Sequence, residues 1–76
     1  MSEQVQKILV RLAQLEGDRT EYGRAQRINL NNAMCEFLYG LSDVLKDAGK
    51  PAEADQAHSL ANKHWSKVIE ETNSST

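Results

Sequence analysis

The tripeptide Gly49-Lys50-Pro51 constrains this chain more than any other feature in it. Pro51 is the sole proline among 76 residues. Proline suits the first position of a helix, where no amide donor is needed, and glycine suits the left-handed residue that closes one. Residues with helical periodicity lie on both sides. So short a link makes the two flanking helices antiparallel neighbours. The predicted fold is all-α: an antiparallel helical hairpin with a third, N-terminal helix packed on it, a three-helix bundle.

The N-terminal helix is expected over about 3–16, with Ser2 as its cap and Glu3 favourable to the dipole. Val5, Ile8, Leu9, Leu12 and Leu15 recur on one face, and Gly17 marks the stop. Asp18-Arg19-Thr20-Glu21 then reads as a capping box with Asp18 as the cap. The second helix is expected over 19–48, about 45 Å long. Gly23 and Gly40 lie inside it, each costing about 1 kcal/mol relative to alanine. Gly23 is a potential break, and Gly40 a close contact with a neighbouring helix or a mild kink. The third helix is expected over 51–72, with Ala54, Ala57, Ala61, His64, Trp65, Val68 and Ile69 on its apolar face. Its alanines permit close approach near the turn, and Trp65 is expected to fill the wider end. Residues 73–76 read as a frayed polar tail, leaving 1–72 as a single helical domain.

On a helical wheel the second helix has two apolar faces. Leu30, Met34, Phe37, Leu38, Leu41, Val44, Leu45 and Ala48 form a broad stripe expected to meet the other helices. Ile28, Cys35 and Tyr39 fall opposite, and Val10 lies off the main face of the first helix. Val10, Ile28, Cys35 and Tyr39 therefore form a candidate interface for a homo-oligomer or a partner protein, against the simpler reading of scattered surface residues. A domain this small gains stability from such assembly.

A second candidate surface opens the central helix. Arg19, Arg24 and Arg27 sit where basic residues oppose the helix dipole. In one reading the last turn of the third helix returns to this end, and Glu70 and Glu71 pair with Arg24 or Arg27. In the other, Arg24, Arg27 and Asn31 share a face beside Tyr22 and contact an acidic partner, a nucleotide or a nucleic acid. A net charge of −2 and the lack of a continuous basic stripe argue against duplex DNA.

Around the link, Leu38, Leu41, Leu45, Gly49, Glu53, Ala54 and Ala61 stand at the spacing of a helix–turn–helix repeat, with Ser42 at a small-residue position and His58 at one usually aromatic. Residues 38–61 thus resemble a single tetratricopeptide-repeat hairpin. Ser66 stands where that family has its closing proline, and there is one copy. The resemblance implies a protein- or peptide-binding role.

Sites for chemistry are not legible. His58 and His64 lie six apart, about 120° around a helix, and cannot chelate one metal as an i, i+4 pair does. Cys35 follows Met34 and precedes Glu36, whose charge disfavours a thiolate, and it is the chain's one cysteine. Asp43, Asp47, Glu53 and Asp55 form a solvated acidic rim at the turn. No enzyme activity, cofactor or metal is expected. A lone cysteine, no basic and apolar leader in Met1-Ser2-Glu3-Gln4 and no apolar run of about 20 residues point to a cytoplasmic protein off the membrane. The expected function is a small protein–protein interaction module, an adaptor or inhibitor acting as a homo-oligomer, of a size associated with phages and mobile elements. The alternative is nucleotide or nucleic-acid binding through Arg24, Arg27 and Tyr22.

Overall fold

The computed structural model describes residues 3–73, so Ser2 and the tail residues 74–76 lie outside it. The chain forms α1 (Glu3–Leu15), α2 (Glu21–Asp47) and α3 (Pro51–Asn73). The expected all-α hairpin with a packed N-terminal helix is what forms. Asn73, expected in the tail, closes α3. The central helix runs unbroken through Gly23 and Gly40.

The turn between α2 and α3 follows from its residues. Gly49 adopts φ 76°, the only positive φ among the described residues. The Gly49 amide donates to the Lys46 carbonyl at 3.0 Å and the Lys50 amide to the Leu45 carbonyl at 2.9 Å. This paired Schellman arrangement satisfies the last carbonyls of α2. Pro51 then opens α3.

The start of α2 departs from expectation. Thr20, not Asp18, is the N-cap: its backbone is extended and its hydroxyl accepts from the Gly23 amide at 3.1 Å. Asp18 is used one step earlier. Its carboxylate accepts from the Thr20 amide at 2.9 Å and from the Thr20 hydroxyl at 2.6 Å. The Asp18 side chain therefore orients the capping residue, and the two hydrogen bonds from Thr20 hold its carboxyl below the usual range.

Helices α2 and α3 pack along a stripe of small and polar residues. From α2 come Arg27, Asn31, Met34, Cys35, Leu38 and Ser42, all buried; from α3 come Ala54, Ala57, Ala61 and Val68. Ala54 and Ala61 are wholly inaccessible, and the Ser42 hydroxyl donates to the Ala54 carbonyl at 2.9 Å. Such small residues let the two backbones approach closely. Helix α1 packs against α2, and among the described residues no comparable backbone approach joins α1 to α3. The molecule is consequently flat, 43 × 27 × 13 Å across its Cα atoms. No helix among the described residues is long and apolar enough to cross a membrane.

This geometry corrects the wheel. The face carrying Cys35 and Tyr39 is not left for a partner; α3 covers it. Cys35 is 3% exposed within the core cluster. The half-buried Tyr39 hydroxyl donates to the Asn62 amide oxygen at 2.5 Å, and its ring meets His58 edge-on at 5.1 Å. Ile28 is half-buried as well. The physical reason is size: Cys35 and Ser42 admit the alanines of α3, whereas Phe37, Leu41 and Val44 would hold the helices apart. Those three residues are exposed instead. Gly40 is exposed too, with open space where a Cβ would stand, so it mediates no helix contact. Trp65 does not fill the wide end of the hairpin; it is 45% exposed.

Candidate functional site

The wide end of the hairpin is filled by polar groups. Arg27 lies buried almost two turns into α2 and joins three parts of the chain. Its Nε and Nη2 donate to the two carboxylate oxygens of Glu71 on α3, at 2.9 and 3.1 Å. Its Nη1 donates to the Leu15 carbonyl that ends α1, at 2.8 Å, and also to the Asp18 carbonyl in the linker. The guanidinium thus places a positive charge at the C-terminal end of α1, where the helix dipole favours it. The hydrogen bonds it donates to the Glu71 carboxylate push its pKa up, against the cost of burial. Of the two expectations for this arginine, pairing with the last turn of α3 describes its position.

A turn further along, Asn31 continues the polar seam. Its Nδ2 donates to the Arg27 carbonyl at 3.0 Å, which turns its Oδ1 toward His64. The His64 Nδ1 stands 2.8 Å from that oxygen and must carry the proton. Burial, with the nearby Lys67 charge, lowers the His64 pKa below 6.5. Arg24 pairs with Glu21 on its own helix and reaches the Glu71 carbonyl at 3.5 Å. Arg19 and Tyr22 are exposed. The residues named for anion contact are thus brought to one end of the molecule, but Arg27 and Asn31 face inward and are committed to internal bonds.

The candidate interface residues do not come together. Val10 is 57% exposed on the outer side of α1, while Cys35 lies in the core. Burial raises the Cys35 thiol pKa, Glu36 adding to it and Tyr39 opposing it. Burial also raises the Tyr39 pKa. A buried thiol held protonated is a poor nucleophile. Among the described residues no group of three or more His, Cys, Asp or Glu side chains is placed to hold a metal ion.

A larger concave surface lies elsewhere. A groove of about 820 Å³ runs between α1 and α3 with α2 beneath it. It exists because α1 leans on α2 without closing over α3. Buried Met34, Leu38 and Ala57 form its floor, and exposed Leu9, Phe37 and Leu60 stand along its walls. Phe37 is 44% exposed and Leu60 46%. Its ionisable lining residues are Glu53 toward the turn and His64 toward the far end, eleven residues apart along α3, or about 16 Å. This is three turns of helix. Sequence reasoning assigned Phe37 and Leu41 to the core and missed this site. The available signal was that the α2 stripe is too broad for one neighbouring helix to cover.

Comparisons with protein-family models, with curated proteins and with solved structures find no match to this chain.

Proposed function

We propose that the chain works by binding protein, as a small adaptor or inhibitor whose working surface is the groove between α1 and α3. The observation carrying this reading is the run of exposed large apolar residues, Leu9, Phe37, Leu41 and Leu60, around one concave surface. Contiguous apolar surface rimmed by polar groups is what a protein interface presents, whereas isolated surface leucines mean little. The groove's three-turn length suits the apolar face of a helix laid into it. The likeness of residues 38–61 to a tetratricopeptide hairpin, a protein-binding unit, points the same way.

Binding of nucleotide or nucleic acid through the arginines draws less support. Arg27 would have to release Glu71 and two carbonyls to take a phosphate.

Affinity capture from a lysate of the native host, quantified by mass spectrometry, tests the proposal. The full chain is compared with Phe37→Glu and with Trp65→Glu. Proteins retained by the full chain and by Trp65→Glu, but lost with Phe37→Glu, support it. Equal recovery by all three, or recovery of nucleic acid alone, overturns it.

A further inference from the structure

We infer that the groove is closed by a second copy of this chain, seated face to face about a two-fold axis. The inference rests on the reading of the groove as the protein-binding surface, and it names the occupant. The first support is area. A compact monomer of 8.5 kDa exposes about 4,650 Å². This chain exposes 5401 Å², about 750 Å² more. A standard protein interface covers about 800 Å² on each partner. The surplus is thus what one face of a symmetric pair would cover.

The second support is shape. A two-fold interface must be self-complementary, because each copy presents the same patch. Here the patch carries both halves of such a fit: Phe37 and Leu60 project, and between them the floor includes the small Ala57. A layer 13 Å thick also lacks the second layer that helical domains pack against, and a second copy supplies one.

The third support is charge. Glu53 lines the turn end of the groove, and His64, beside Lys67, lines the other. A two-fold axis through the middle of the groove sets the Glu53 end of each copy over the His64 end of its partner. The two Glu53 carboxylates are kept apart, and each meets the end of its partner's groove that has no acidic lining residue. A partner protein entering the same groove then competes with the second copy.

Sedimentation equilibrium on the full chain is the test, with Phe37→Glu, Leu60→Glu and Trp65→Glu as variants and circular dichroism as the check on folding. The expected mass is twice 8.5 kDa for the full chain and for Trp65→Glu, and 8.5 kDa for the two groove variants. A second measurement needs no substitution. A soluble paramagnetic agent should leave the Leu9 and Leu60 methyl signals sharp in the pair and broaden them on dilution, while broadening the Trp65 indole at every concentration. A full chain of 8.5 kDa at all concentrations overturns the inference. If that monomer binds the apolar dye anilinonaphthalene sulfonate and Phe37→Glu does not, the groove reading survives alone; if neither binds the dye, both fail. A pair broken by Trp65→Glu but not by the groove variants, or one that shields Trp65 instead of Leu60, also overturns the inference.

Discussion

Arg27 shows how one side chain can hold three helices in register. Four donated bonds leave its guanidinium and reach α1, the linker and α3. Truncation removes the cation and leaves a half-buried Glu71 carboxylate without these donors. Arg27→Ala should therefore lower unfolding stability by about 2–4 kcal/mol, read from urea melts. Arg27→Lys should recover only part of that loss, because an ammonium cannot bridge both Glu71 oxygens and a carbonyl from one plane. Equal stability of the wild type and Arg27→Ala would remove this account of the seam. His64 makes a separate prediction. Its folded pKa lies below 6.5, so as pH falls from about 6.5 the unfolded chain takes up a proton that the folded chain refuses. Stability present at neutral pH is then lost as pH falls toward the folded value. His64→Gln keeps a donor for Asn31 and removes the titration. Denaturation midpoints measured between pH 7.5 and pH 5 should slope in the wild type and flatten in the variant. Asp18 has the depressed carboxylate pKa, so its contribution is present above the ordinary carboxylate range, near pH 4, and fades below it.

At the scale of the helix, the glycines of α2 separate two effects that the sequence alone merges. Both lower helix propensity by about 1 kcal/mol against alanine. A Cβ on Gly40 would meet nothing within 4 Å, so Gly40→Ala should raise stability by about that amount. A Cβ on Gly23 would stand 2.7 Å from the Asp18 Cβ and closer still to its carboxyl carbon. Asp18 cannot swing away cheaply, since Thr20 holds its carboxylate and Arg27 holds its carbonyl. Gly23→Ala should consequently lose about 1–2 kcal/mol despite its better propensity. Thermal melts of the two variants should move in opposite directions. The helices themselves were legible, because Gly49, Pro51 and the apolar spacing are local signals. The face of α2 that meets α3 was legible only at Met34 and Leu38, which belong to the expected stripe and are buried. Its other residues, Arg27, Asn31, Cys35 and Ser42, follow helical spacing, but three of these four are polar. A wheel weighted by hydrophobicity passes over those three and selects the larger residues opposite. What decides the packing is how closely two backbones can approach, and that depends on pairing Cys35 and Ser42 with alanines twelve or more residues away. The groove was hidden for the same reason. Leu41 and Phe37 look like core until α3 is known to lie on the other side.

At the scale of the molecule, the single chain holds little apolar material out of reach of water. No large side chain among the described residues is fully buried. The radius of gyration is 13.6 Å, where a compact chain of this length would have about 11 Å. A flat layer of three helices shares one interior between α2 and α3 and leaves the α1 side half closed. Its folded state should therefore draw on association. If a second copy fills the groove, folding and pairing are linked by mass action. A hundredfold rise in concentration then favours the folded pair by about 2.7 kcal/mol, or roughly half that per chain. For a domain of this size the melting temperature should rise by about 5–10 °C over that range. Phe37→Glu should melt at one temperature at every concentration, because the charge prevents pairing at a position that the single chain already leaves to solvent. Calorimetry on both chains distinguishes the cases. A wild-type melting temperature independent of concentration would mean that the hairpin and its polar seam sustain the fold alone.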